Sequence, residues 1–184
     1  MSYCSYVRDN PADSLNRRYH DTQYGFPLME DDTLFERLML EINQAGLSWA
    51  LILKRAENFH LAYDGFNIDR VAAYTEEDRL RLLGDAGIIR NRLKIKAAIE
   101  NARRIQSLRR EYGSFRDWLD AHHPLTLEQW TRLFKQAFVF TGSEIVKEFL
   151  VSTAYLPGAH DTDCPIFIHL STVDLPWRRQ NSPP

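Results

Sequence analysis

Two cysteines in 184 residues, Cys4 and Cys164 near opposite ends, are too few and too far apart to be a disulfide framework. Excess charge of either sign is also lacking. The formal net charge is -2, which excludes non-specific attraction to nucleic acid as a dominant force and requires any DNA-facing surface to come from local segregation of charge. No apolar run approaches the roughly 18 residues of a membrane span, and residues Met1 to Tyr6 do not read as a signal peptide, so a cytoplasmic chain with no membrane partner is expected. Val, Ile and aromatic residues never alternate with polar ones for more than a few positions, so no strands are expected, and there is no internal repeat or low-complexity tract. What remains is an ordinary globular composition, 44% hydrophobic and 26% charged, that suits a single all-α domain over residues 1–184.

The helical signals are specific. Thr33 with Glu36 reads as a capping box, and Phe35, Leu38, Met39 and Ile42 follow at the spacing of one buried helix face. Glu41 falls roughly 110° from the centre of that face, at its border, where a half-covered carboxylate can face a cleft. Gly46 then interrupts the helix and Ser48 caps the next, which starts at Trp49. A carboxylate, a glycine kink and a large aromatic in one short stretch suit a small pocket, although a solvated Glu41 and a core Trp49 would give the same pattern.

Further along, Asn67 and Thr75 begin new helices, and residues 76–111 read as helix, short turn and helix, with the turn at Gly84–Asn91. On the second helix Ile95, Ala98, Ala102 and Ile105 form the buried stripe. Arg92, Lys96, Arg103 and Arg110 lie within roughly 40° of one another beside it. Between Arg79 and Arg110 stand ten basic residues and only two acidic ones, Asp85 and Glu100. That is a basic strip for a polyanion or a solvated flank, with Lys96 and Glu100 spaced to pair. Helices over Ser114–His122, Thr126–Phe140 and Ser143–Tyr155 follow, and the proline-bearing stretch 165–184 is expected to be irregular.

Cys4, His20, His160 and Cys164 offer two sulfurs and two nitrogens, a donor set that suits tetrahedral zinc, with His160 and Cys164 one turn apart. Two unrelated thiols are the alternative reading. A four-ligand site would be structural and would join segments 4–20 and 160–164.

Cys4, Tyr19-His20-Asp21, Tyr24-Gly25, the run Glu41 to Trp49, Asp85 to Arg92 with Lys94-Ile95, and His160 followed by Cys164 together resemble the DNA-3-methyladenine glycosylase I family, collinearly over nearly the whole chain. The resemblance implies a helix-hairpin-helix DNA glycosylase that hydrolyses the N-glycosidic bond of 3-methyladenine in double-stranded alkylated DNA. It implies one structural Zn2+ per chain on Cys4, His20, His160 and Cys164. It implies that Glu41 hydrogen-bonds the base, that Tyr19 and Trp49 stack on it, and that Tyr24 borders the pocket. The turn with Gly87, Ile89, Arg90 and Arg92 would hold DNA phosphates.

The chemistry agrees with that family. A methylated adenine bound to its sugar is cationic and already a good leaving group, so an anionic acceptor and aromatic faces suffice to select it. No lysine is clearly placed as a Schiff-base nucleophile. Lys94 and Lys96 are the nearby candidates and are expected to be solvated, so a monofunctional enzyme acting as a monomer is expected. Asn16 stands where some relatives carry an aromatic and Tyr24 where a tryptophan is common, which bears on substrate breadth. Two further classes are open: a module that binds damaged DNA without chemistry, and a zinc hydrolase with His20, His160 and Cys164 as ligands and Glu41 as base.

Overall fold

The start of the third helix shows how tertiary contacts set element boundaries in this chain. In the computed structural model, which describes residues 2–179, α3 spans Asp31–Gln44 and begins two residues before the expected Thr33 cap. Asp31 displaces the cap: its carboxylate accepts the backbone N–H groups of Phe115 and Arg116 at 2.9 and 3.1 Å and pairs with Arg109 at 2.7 Å. An acidic group at the positive end of a helix stabilises that end, and here it also ties three segments together.

Before it come α1 (Tyr3–Asp9) and α2 (Ser14–Thr22), capped by the side chains of Ser2 and Asp13. After Gly46, at φ +80°, Ser48 caps α4 (Trp49–Ala62) as its sequence position predicts. Asn67 caps α5 (Ile68–Ala72), and a Thr75–Asp78 capping box opens α6 (Glu76–Gly84). A turn at residues 85–91 leads to α7 (Arg92–Tyr112), capped by Asn91 and closed by Gly113. Then follow α8 (Phe115–His122), α9 (Leu127–Ala137) and α10 (Ser143–Ser152). Among the described residues there is no strand, and no helix is long and apolar enough to cross a membrane.

The core is one continuous body. Phe35, Leu38 and Ile42 of α3 meet Ile95, Ala98, Ala102 and Ile105 of α7, the predicted stripe, and an aromatic cluster of Phe115, Trp118, Phe134, Phe138 and Phe149. Helices α3 and α7 run antiparallel, bolted at both ends. Arg109 near the end of α7 pairs with Asp31 and Asp32 at the start of α3. Lys94 in the first turn of α7 meets the end of α3.

The stretch after Cys164 departs from the irregular course expected of it. Pro165, which suits the first helical position, opens α11 (Pro165–Leu170). Leu170 and Leu175 pack on Ala154, and the Trp177 N–H bonds the Ala154 carbonyl at 3.0 Å. These contacts to the end of α10 order a segment whose prolines suggested otherwise; Pro183 and Pro184 lie outside the described residues.

Candidate functional site

The last turn of α3 carries Glu41 into a cavity of about 780 Å³. Its wall is assembled from Tyr3 of α1, Tyr19 of α2, Tyr24, Gln44 to Gly46, Trp49 at the start of α4, and Gly142, Ser143, Glu144, Ile145 and Glu148 at α10. The sequence placed Glu41 at the half-covered border of its stripe. In the fold it is only 4% exposed, because α1, α2 and α10 close over it. Among the described residues no protein group donates a hydrogen bond to its carboxylate. Burial, reinforced by Glu148 and opposed by Arg37, pushes its pKa up to about 8. A buried carboxyl group left without donors is poised for a ligand that supplies donors or positive charge and so favours its ionised form.

The aromatic wall is preorganised. Tyr19 and Trp49 meet with ring centroids 5.0 Å apart, and Tyr24 lies 5.8 Å from Tyr19. Arg37, itself buried, donates to the Tyr19 hydroxyl at 3.0 Å and lies 5.0 Å from that ring's centroid, which fixes the ring. Trp49 Nε1 is buried with no protein acceptor among the described residues, an orphan donor of the kind that costs about 1–3 kcal/mol when nothing accepts from it. Tyr24 donates to Glu148 at 3.3 Å, so a second carboxylate shares the cavity. Tyr3 and Glu148 did not emerge from the sequence. Both lie at helical positions whose only unusual property is which neighbours the fold gives them.

Beside this wall Cys4, His20, His160 and Cys164 converge, all four buried and their donor atoms within 4.8 Å of one another. His20 Nδ1 lies 2.7 Å from the Asp21 carboxylate and His160 Nε2 lies 2.7 Å from the Tyr24 carbonyl. Both partners only accept, so the other nitrogens, His20 Nε2 and His160 Nδ1, present lone pairs to each other at 3.2 Å. Two lone pairs at that distance repel unless a cation lies between them. Sulfur-to-nitrogen distances of 3.2 to 3.8 Å are those of the edges of a tetrahedron around one ion. The Asp161 N–H supports the Cys4 sulfur at 3.3 Å. Gly25, at φ +77°, makes the approach possible: a Cβ there would lie 2.5 Å from the Ala159 Cβ. The residues therefore fit a metal ion with four protein donors. Four protein donors leave no position for a bound water, contrary to the arrangement a zinc hydrolase would need.

The third element is the turn between α6 and α7. Arg55 of α4 donates to the carbonyls of Ala86 and Ile88 at 3.0 and 2.9 Å, and Asn58 reaches the Gly87 carbonyl at 3.5 Å. The Gly87 N–H is held by the Asp85 carboxylate at 2.7 Å. The N–H groups of Ile88, Ile89 and Arg90 have no protein acceptor among the described residues, and Arg90 and Arg92 are exposed. The basic strip is thinner than the sequence suggests. Arg79, Arg81 and Arg109 pair with acids, Arg103 bonds the Ala72 carbonyl, and Glu100 pairs with Arg104 at 3.0 Å instead of Lys96. Lys94, expected to be solvated, is 5% exposed. Arg90, Arg92, Lys96 and Arg110 remain exposed and without an acidic partner among the described residues, Arg110 donating to the Ser107 hydroxyl at 2.9 Å.

Comparison with known proteins places the chain in a family. A sequence profile of the family described as methyladenine glycosylase matches residues 9–137. DNA-3-methyladenine glycosylase 1 of Escherichia coli is 36% identical over 169 residues, covering 82% of this chain and 89% of that protein. The structure of 3-methyladenine DNA glycosylase I from Staphylococcus aureus superposes with a TM-score of 0.77 at 29% identity, covering 83% of this chain and 91% of the other. A tyrosine-to-phenylalanine variant of 3-methyladenine DNA glycosylase I, solved with 3-methyladenine bound, gives 0.80 at 30% identity, with 90% and 97% covered.

Proposed function

Since this chain belongs to the methyladenine glycosylase family, we propose that it is a DNA repair glycosylase that releases 3-methyladenine from alkylated double-stranded DNA. The observation that carries this reading is the Glu41 carboxylate, buried in an aromatic cavity and left without a donor of its own. A 3-methyladenine still joined to deoxyribose is cationic and carries an exocyclic amine, so it supplies what Glu41 lacks. The target nucleotide swings out of the stack into the cavity, where Tyr19, Tyr24 and Trp49 cover its faces and its charge adds a cation–π attraction of roughly 1–2 kcal/mol. An uncharged adenine forgoes both terms.

The chemistry then asks little of the protein. Water adds its oxygen to C1′ of the sugar, the N-glycosidic bond breaks, its electrons neutralise the departing base, and the proton passes to solvent. Glu41 holds the base in place through this step, while the positive charge passes from the base to the sugar. No amine enters the reaction, so the enzyme is monofunctional and leaves the strand intact. The helix-hairpin-helix formed by residues 76–111 seats the duplex, with Gly87, Ile89, Arg90 and Arg92 against phosphates and no reading of sequence. One Zn2+ on Cys4, His20, His160 and Cys164 is structural and fastens the wall that bears Tyr19 and Tyr24. The enzyme works as a monomer in the cytoplasm.

The test is direct. Zinc-replete folded protein incubated with methylated duplex DNA is expected to release free 3-methyladenine, identified by chromatography, and to leave abasic sites that break only on later treatment with alkali or heat. Absence of free base would overturn the assignment, and strand breaks before that treatment would overturn its monofunctional part.

A further inference from the structure

The backbone closes the end of helix α3 only at Gln44, whose carbonyl accepts the Leu47 N–H at 2.7 Å; the carbonyls of Asn43 and Ala45 are left to other groups. The C-cap residue Ala45 has φ -50° and ψ 116°, not the left-handed geometry that would fold the backbone over the last carbonyls. The acceptors are met from another helix: Lys94 Nζ donates to the carbonyl oxygens of Asn43 at 2.9 Å and Ala45 at 2.8 Å. Lys94 has no carboxylate within ion-pair range among the described residues, so the negative end of α3 is its counter-charge. Its own N–H accepts no freedom either, being held by Asn91 Oδ1 at 3.2 Å in the first turn of α7, directly after the turn that carries Arg90 and Arg92. On the other side, Gln44, Ala45 and Gly46 line the cavity one helical turn beyond Glu41.

We propose that Lys94 is a positioning residue that sets the floor of the base cavity relative to the DNA-seating turn. The inference rests on the glycosylase reading above. A flipped base is placed by two constraints at once: the phosphates of its own strand, held at the turn, and the carboxylate and rings of the cavity. Lys94 is the one described side chain that hydrogen-bonds directly from the first turn of α7 to the end of α3, and it does so with a rigid pair of charge-assisted bonds. With this bolt removed, each part can still bind its own ligand, but their separation is no longer fixed, and a displacement of about 1 Å is enough to cost up to about a hundredfold in rate.

The experiment compares wild type, Lys94→Met and Lys94→Arg in three measurements: single-turnover release of 3-methyladenine, affinity for a duplex containing an abasic site, and thermal midpoint. Lys94→Met, which keeps the stem and loses the donors, is expected to slow single-turnover release at least tenfold while duplex affinity stays within about twofold. Lys94→Arg, which can still reach both carbonyls, is expected to recover part of the rate. Unchanged release in Lys94→Met would overturn the proposal. So would a loss of release matched by an equal loss of duplex affinity, which would make Lys94 a simple DNA contact. If Lys94→Met does not fold, the arginine variant decides: recovery of the fold together with the rate split supports the positioning role, and recovery of the fold with wild-type kinetics in every measurement reduces Lys94 to a structural cap. Wild-type release is measured first, so a failure of the glycosylase reading is seen separately from a failure of this one.

Discussion

The turn at residues 85–91 and the cavity around Glu41 are built from opposite materials. The turn is a single contiguous stretch, its carbonyls gathered by Arg55 and its arginines exposed to solvent. The cavity draws Tyr3, Tyr19, Tyr24, Glu41, Trp49 and Glu148 from five separate elements and the loops between them, and buries its acid to 4% exposure. Exposed charges hold a polyanion weakly, additively and with strong dependence on salt. A buried acid without donors discriminates by charge, because in low dielectric the wrong protonation or the wrong ligand is expensive. Under the proposed function, seating and selection are separated in space and in physics, and each can be disturbed alone.

The largest disturbance is expected from removing the metal. Chelation should lower stability by on the order of several kcal/mol and abolish base release, with re-addition of zinc restoring both. Hydrogen exchange should report the asymmetry, rising first at residues 3–22 and last in α7. Simultaneous, uniform loss of protection would show that the two regions are not separable. Next is Glu41→Gln, expected to cut single-turnover release by roughly 10²–10³-fold, as loss of one charged transition-state partner does, with duplex affinity nearly unchanged.

The same variant makes a second, pH-dependent statement. Glu41 keeps its proton in the folded chain up to about pH 8, whereas its ordinary pKa is 4.5, so between those values the folded state binds more protons than the unfolded one. Folding stability contributed by this group therefore falls as pH rises through that window. Glu41→Gln should be more stable than the parent above pH 8, and the advantage should vanish below the ordinary carboxylate range, as read from denaturation midpoints.

Arg90→Ala with Arg92→Ala tests the other region. The pair should weaken duplex binding, flatten the slope of log affinity against log salt by about 2, and leave the single-turnover rate at saturation within a small factor. A collapse of that rate would mean that the arginines do more than seat DNA. The smallest effect is expected from Glu148→Gln. Burial chiefly, and Glu148 to a lesser degree, hold the Glu41 pKa up, so neutralising Glu148 should move the acidic limb of the kcat/KM profile to lower pH.

The contrast also explains what the sequence made legible. Helix starts at Ser48, Asn67, Thr75 and Thr126, and the buried stripe of α7, follow from local chemistry, and each is found where its side chain predicts. The turn with Gly87 was legible for the same reason. Cys4, His20, His160 and Cys164 could be grouped because their donor chemistry is rare, although nothing in their spacing brings them together. Asp31, Lys94, Tyr3 and Glu148 were out of reach of such reasoning. Their roles depend on partners remote in the sequence: Asp31 bonds residues 78 to 85 positions on, Lys94 residues 49 and 51 positions back, and Tyr3 and Glu148 both meet Tyr24, 21 and 124 positions away. Lys94 is the sharpest case: a lysine on a basic helix reads as solvated until the fold places two carbonyls at its ammonium.

One consequence of the four-donor cluster concerns the order of events during synthesis. A metal ion held there would join Cys4 to Cys164 and so close a loop of nearly the whole chain, the costliest kind of closure in polymer terms. The helices bearing Tyr3 and Tyr19 are made first, yet their fastening arrives last, when the residues from His160 to Cys164 leave the ribosome. A nascent chain is therefore without a finished cavity until it is almost complete, and a truncated one never acquires it.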